Sequence, residues 1–374
     1  MTDRFSTDCA HAGEEQIPSL STPSAMPIYQ TSVYDFPDLE AVDGVWEGKD
    51  AGYIYGRFGL PNTTALENIV AKLERGEAAL ASASGMASIM VAFTTLTKAG
   101  DEILVAQDSY GGTLGLAGKE FGRFGIASRL MTDLRPSSIA GAIGPATRAV
   151  LVETISNPLW NLVDVRGLAE VCRAKGVTLV VDNTSATPCV VRPLEQGADV
   201  VLHSATKFLG GHHDMTAGVL VGTREFIARA RESQIRLGPS LAPFDAWLAV
   251  RGIKTLALRM ERSCANAAQV ATFLAAHSAI ARVYYPGIGA IISFDLRGDL
   301  QTAAGFVKRL KMIRFAPSFG GVTTTITHPA KTSHRSLTQA QRDEVGIGDA
   351  LIRMSLGIED AADIVAELDR ALLG

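Results

Sequence analysis

Four short polar runs, each following an apolar run, carry residues capable of chemistry. His203-Ser204-Ala205-Thr206-Lys207 comes after Asp199–Leu202. A lysine just past a buried strand can attack an aldehyde and form a Schiff base, and Ser204 and Thr206 add hydroxyls for a phosphate. Asp182 closes the run Thr178-Leu179-Val180-Val181. A carboxylate there is costly to bury without a cation. A protonated pyridine nitrogen is such a cation, and the pairing keeps the ring an electron sink. Ser84-Gly85-Met86 stands between the run Ala78–Ala83 and a helical pattern, where backbone N–H groups and the helix dipole favour an anion. Asn157-Pro158 follows Ala149–Glu153, and the Asn157 amide can bond a phenolate oxygen. Each run alone also reads as something plainer: a loop lysine, a turn or N-cap aspartate, a tight strand-to-helix turn, an Asn-Pro turn. Together, with Asp182 twenty-five residues before Lys207, they describe one site for an aldehyde, a pyridine and a phosphate. That combination is pyridoxal 5′-phosphate (PLP).

The elements that must position these residues are short and apolar. The runs Ala78–Ala83, Ile103–Ala106, Ala149–Val152, Thr178–Val181, Val200–Leu202 and Gly218–Val221 are continuously hydrophobic. Such runs predict an α/β fold with strands covered on both faces, a mostly parallel sheet flanked by helices. Ligands collect at the carboxyl ends of such strands, where the four polar runs lie. Thr63–Arg75 has a helical stripe of Leu66, Ile69, Val70 and Leu73. Residues 1–55 read as an extended N-terminal arm that lies on another surface. Residues 56–240 form the cofactor-binding domain and residues 241–374 a smaller α+β substrate-binding domain. The latter has a helical stretch from Pro243 to Ala276, a strand Ala290–Phe294, a helix near Thr302–Leu310 and a last helix Ala361–Leu373.

Composition narrows the function classes. The 374 residues are 47% hydrophobic and 20% charged, with a formal net charge of -4, so no basic stripe invites nucleic acid. Cys9, Cys172, Cys189 and Cys264 are scattered, which fits free thiols in the cytoplasm. Met1–Phe5 lead into no apolar run, so no secretory signal is expected. Ala78–Thr97 is long enough to cross a bilayer, yet its serines and threonines favour a strand, a turn and a helix. His212-His213-Asp214 lacks a third ligand, so no metal is expected.

The chain resembles the Cys/Met-metabolism PLP enzymes, which include cystathionine γ-synthase, cystathionine β- and γ-lyases, methionine γ-lyase and O-acetylhomoserine sulfhydrylase. The likeness runs from about Ala12 to the C-terminus. It rests on His203–His212, Val181–Thr184, Ser84-Gly85-Met86, Asp108–Thr113, Tyr55-Gly56-Arg57, Ala316–Gly321 and Leu351–Ser355. The resemblance implies PLP fold type I with a seven-stranded sheet. It makes Lys207 the Schiff-base lysine that moves protons between Cα, Cβ and Cγ, and Asp182 the partner of the ring nitrogen. Gly85, Met86, Ser204 and Thr206 hold the phosphate, and Tyr110 stacks on the ring and assists the leaving group. Tyr55 and Arg57 reach a neighbouring subunit's phosphate, so a homodimer is the least assembly and a tetramer the expected one. Ser318 and Arg353 clamp the substrate α-carboxylate.

Departures bear on the substrate. Positions that are often charged in cystathionine-handling relatives are Ile54, Gly115 and Pro317, and a cysteine common in methionine γ-lyases is Gly112. Tyr285-Pro286-Gly287 runs almost directly into Ala290–Phe294, where relatives have a longer loop. The expected activity is γ- or β-elimination from a small amino acid such as cystathionine, methionine, homocysteine or canavanine, giving a 2-oxo acid and ammonia. The alternatives are γ-replacement of an O-acyl-homoserine by a thiol, as in a cystathionine γ-synthase, and an inactive relative of the fold.

Overall fold

A run of Val, Ile, Leu and Ala with no polar alternation can be buried only if both faces of its strand are covered. The computed structural model, which describes residues 23–335 and 338–373, meets that condition with a seven-stranded sheet. Its strands are β1 (Ala78–Ser82), β2 (Glu102–Ala106), β3 (Ala127–Met131), β4 (Thr147–Glu153), β5 (Thr178–Asp182), β6 (Val200–Ser204) and β7 (Gly218–Gly222), in the order β1-β7-β6-β5-β4-β2-β3. All pairings are parallel except those of β7, which runs against both its neighbours. Within β5, Leu179 and Val181 pack into the core on one face, and Val180 packs into the core on the other.

Nine helices among the described residues have eight residues or more. They are α1 (Leu39–Trp46), α2 (Pro61–Glu74), α3 (Gly85–Leu96), α4 (Val165–Lys175), α5 (Arg224–Leu237), α6 (Pro243–Ile253), α7 (Leu256–Ala276), α8 (Leu300–Arg309) and α9 (Ala361–Leu373). The stretch expected to be helical from Pro243 to Ala276 is therefore broken at Lys254-Thr255. The Gly252 carbonyl is taken there by the Thr255 hydroxyl and by the buried Arg259 guanidinium at 2.8 Å. The expected membrane-length stretch is β1, a turn and α3, and no described helix is long and apolar enough to cross a membrane.

A second sheet joins β8 (Ile280–Tyr284), β9 (Ile291–Leu296), β10 (Arg314–Phe315), β11 (Thr325–Thr327) and β12 (Leu351–Ser355), in the order β10-β11-β12-β9-β8. Phe294, Phe306, Ile352 and Ile364 fill its core. Helix α7 runs between the two cores: Leu256 and Met260 share the larger, Val270 and Leu274 the smaller. The arm expected over residues 1–55 is described only from residue 23. It contains α1, an isolated bridge from Val33 to Tyr55, and exposed Val33, Leu39 and Trp46. The readings of Met1–Phe5 and Cys9 lie outside the described residues.

Candidate active site

Three parallel strands end side by side, and their last residues are polar. β4 closes on Glu153, β5 on Asp182 and β6 on Ser204. The register sets Glu153 directly beside Asp182. Lys207 follows β6 by one turn, closed by its own N–H donating to the Ser204 carbonyl. These residues line a cavity of about 500 Å³ together with Ser84, Gly85, Met86, Tyr110, Asn157, Thr206 and Arg353. The sequence-derived set therefore meets in one place, Ser318 joining it through its contact with Lys207 and not as a lining residue. Tyr55 and Arg57 stand apart and do not line this cavity. Arg57 donates instead to the Ile235 carbonyl at 2.7 Å, and Tyr55 is exposed.

The anion cradle is built by close packing. Ser84 caps α3, its side chain accepting from Ala87 N at 3.1 Å. A Cβ on Gly85 would fall 2.8 Å from the Ser204 Cβ, so only glycine lets the helix start press against the end of β6. Thr206 is fixed through its hydroxyl, which accepts from Ala217 N at 3.1 Å. Ser204 N donates to Thr184 Oγ1 at 2.8 Å.

The two acids differ in their partners. Thr184 N donates to Asp182 Oδ1 at 2.9 Å, and Tyr110 N donates to Glu153 Oε1 at 2.6 Å. Burial raises both carboxyls above their ordinary values, Glu153 well above, with the neighbouring Asp182 charge adding to it. Two adjacent buried carboxylates do not both ionise. The rise is the larger at Glu153, so Asp182 is the acid of the pair that ionises first and the one suited to a cation.

Across the cavity stand two cations around Phe319. Lys207 Nζ donates to Ser318 Oγ at 2.9 Å and lies 5.2 Å from the Phe319 ring centre. The Arg353 guanidinium, on β12, lies 5.3 Å from the same ring. Burial, helped by Arg353, lowers the Lys207 amine to about 8. Burial lowers Arg353 to about 10. Arg353 donates to Asn157 Oδ1 at 3.2 Å and to the Ser318 carbonyl at 3.1 Å. It has no carboxylate partner among the described residues, and a guanidinium only 3% exposed without one is a receptor for an anion.

Several residues of the site escaped the sequence reading, Glu153 and Arg259 among them. Glu153 bore the same signal as Asp182, an acid closing an apolar run, but served there only as a strand end. Arg259, on α7, donates to the Phe208 carbonyl at 2.7 Å and to the Leu209 carbonyl, so it clamps the turn that follows Lys207. No local pattern marks it. The pair His212-His213 joins no metal-binding cluster among the described residues.

An amine one turn past the end of β6, an acid at the end of the neighbouring β5, an anion cradle at a helix start and a buried arginine with no carboxylate partner define a PLP enzyme of fold type I. The donor set fits that group: the close approach at Gly85 leaves backbone N–H groups and the Ser204 and Thr206 hydroxyls on one side, with Asp182 on the floor. The sequence comparison narrows the class. Residues 6–373 match the family model described as Cys/Met metabolism PLP-dependent enzyme, and the chain belongs to that family. It is 39% identical over 364 residues to the L-methionine gamma-lyase of Pseudomonas putida, covering 92% of each chain. It is also 39% identical over 373 residues to a cystathionine gamma-synthase/O-acetylhomoserine (thiol)-lyase of Bacillus subtilis, covering 100% of this chain and 97% of that one. Among solved structures, it is similar to the cystathionine gamma-lyase of Lactobacillus plantarum complexed with L-serine, with TM-score 0.86, 36% identity and 93% of each chain covered. The protein is accordingly a PLP-dependent enzyme of γ-elimination or γ-replacement.

Proposed function

We propose that the enzyme is a lyase that eliminates the γ-substituent of a small amino acid and releases a 2-oxo acid and ammonia. The observation that carries this reading is the placing of Lys207 Nζ against Ser318 Oγ, with the buried, carboxylate-free Arg353 beside it. Arg353 binds the α-carboxylate bidentately, and the Ser318 carbonyl and Asn157 Oδ1 orient its fork. That anchor turns the substrate Cα–H and Cβ–H towards Lys207. The Lys207 amine, lowered to about 8 by burial, accepts a proton from Cα and returns it along the chain. When bound, PLP supplies the electron sink for the Cα carbanion. With that group bound, Asp182 would pair with the ring nitrogen, Asn157 would bond the phenolate oxygen, and Gly85, Met86, Ser204 and Thr206 would hold the phosphate. Tyr110, exposed at its ring and fixed at its N–H by Glu153, covers the ring and hands a proton to the leaving group.

Tyr55 and Arg57 serve the site of a second copy in a homodimer, and dimers pair into a tetramer. Their distance from this chain's own cavity supports that role, as do the exposed apolar residues of the arm. The free thiols Cys172, Cys189 and Cys264 suit a cytoplasmic enzyme. Residues 56–240 act as the cofactor domain and 241–374 as the substrate domain. Elimination is favoured over replacement because Ile54, Gly115 and Pro317 offer no charge to an incoming amino acid.

The test is a product screen by mass spectrometry on PLP-loaded protein, with cystathionine, methionine, homocysteine, cysteine, canavanine and O-acyl-homoserines, each with and without cysteine. A 2-oxo acid formed without any thiol is the expected result. A thioether formed only when cysteine is present replaces the lyase with a synthase.

A further inference from the structure

The wall of the cavity facing Tyr110 comes from a segment the sequence reading did not single out. Lys331, Thr332, Ser333 and Arg335 all line it. The segment is wound into a tight turn after Pro329, with Lys331 N donating to the His328 carbonyl, His334 N to the Pro329 carbonyl and Arg335 N to the Thr332 carbonyl. It lies hard against the tyrosine: a Cβ on Gly111 would run into the Ser333 carbonyl oxygen, so a glycine after Tyr110 is what lets this wall close in.

The charges along this wall are one-sided. Lys331 and Arg335 are exposed at the rim, and neither takes part in an ion pair among the described residues. The cavity's own acids, Glu153 and Asp182, lie at its floor. Inside the turn, His334 is lowered to about 4 by burial and by Arg353, so it is neutral and cancels nothing. A substrate with its α-carboxylate on Arg353 fills the inner cation site. What remains, on the side where a γ-substituent must extend, is a pair of cations with no anion.

We propose that Lys331 and Arg335 select a γ-substituted amino acid whose leaving group ends in an anion, a carboxylate or a phosphate. This rests on the γ-elimination reading and specifies its substrate. The specificity positions that the family resemblance points to, Ile54, Gly115 and Pro317, are uncharged, so tail recognition passes to the turn after Pro329. A neutral tail gains nothing at this rim.

The test compares kcat/KM of the PLP-loaded enzyme for O-acetyl-, O-succinyl- and O-phospho-L-homoserine. Two screened cations favour an anionic tail over the neutral acetyl by about tenfold. The better of succinyl and phospho substrates names the anion. In a K331Q/R335Q double variant, the anionic-to-acetyl ratio falls to within about twofold of one. A wild-type ratio near one, or a ratio that survives in the variant, overturns the proposal. Binding is read in parallel from the cofactor's visible absorption, with L-2-aminoadipate against L-norleucine, neither of which has a leaving group. If neither a homoserine ester nor cystathionine, methionine, homocysteine or canavanine is eliminated, the γ-elimination reading fails. The aminoadipate-to-norleucine affinity ratio, in wild type and variant, then decides the anion reading by the same criteria.

Discussion

The floor and the roof of the cavity are built by different means. The floor is the carboxyl end of the central parallel strands. Asp182, Ser204 and the turn to Lys207 are held by ladder register, by Thr184 bonding both neighbouring strand ends and by Arg259 clamping the Phe208 and Leu209 carbonyls. The roof comes from the smaller domain, and its Pro329–Arg335 part hangs on short-range turn bonds. The ends of paired interior strands fix atoms through partners far apart in sequence, so they suit the chemistry that every substrate shares. A locally bonded turn can exchange its side chains without disturbing the core, so it suits the choice among substrates. Floor substitutions are thus expected to act on rate and cofactor for all substrates alike, and rim substitutions on selectivity.

The floor should break hardest at Lys207. Lys207→Ala removes both the cofactor linkage and the proton carrier, and turnover falls by at least about ten-thousand-fold. Borohydride reduction followed by mass spectrometry should add a pyridoxyl phosphate to the wild type and nothing to the variant. Normal turnover by the variant would sink the assignment. Arg353 belongs to the roof by position but to the floor by burial, and it sharpens the contrast. Arg353→Lys keeps the charge and loses the fork, so kcat/KM drops by roughly a hundredfold, the scale of a truncated buried charge pair. The drop should be the same for every amino acid tested. A loss that depended on the substrate tail would place Arg353 with the rim instead.

The same division explains what the sequence disclosed. Six of the seven large-sheet strands are continuous apolar runs, and their terminal polar residues pointed to the cofactor site. The missing strand, β3, is an edge strand of Ala127-Ser128-Arg129-Leu130-Met131, largely exposed, so it carries no buried run. Ser318 and Arg353 were found through resemblance to family motifs, since a short β12 in a mixed sheet announces nothing locally. Arg259 and the turn after Pro329 were silent for another reason. Their roles exist only through contacts with chain far away: Arg259 with the turn after Lys207, Ser333 with Gly111. Glu153 was legible by the rule that exposed Asp182, and its consequence, an acid whose proton is held more firmly because Asp182 is beside it, needed the register of β4 on β5.

A gentler break of the floor is Gly85→Ala. The added methyl would meet Ser204 Cβ at 2.8 Å, so the start of α3 must lean away from the end of β6. Overpacking of this kind costs about 1–3 kcal/mol. Titration of the apoprotein should show PLP affinity weakened roughly tenfold, with selectivity between acetyl and succinyl tails unchanged. Unaltered PLP affinity would remove Gly85 from the cradle.

The smallest expected effect concerns protons rather than atoms. An amine attacks an aldehyde only when neutral. With its value lowered from 10.5 to about 8, Lys207 is neutral in about a quarter of molecules at pH 7.5, against about one in a thousand for an ordinary lysine. The rate of PLP uptake by the apoprotein should therefore climb with pH and level off above about 8. The linkage has a definite sign. The folded chain binds this proton more weakly than the unfolded one, so apoprotein stability from this group falls as pH drops from 10.5 to about 8 and is flat below that. Burial is the larger cause and Arg353 the smaller, so Arg353→Met should move the uptake midpoint upward only modestly. A midpoint near 10 in the wild type would mean that water reaches the Lys207 amine freely. The floor would then owe less to burial than its packing implies.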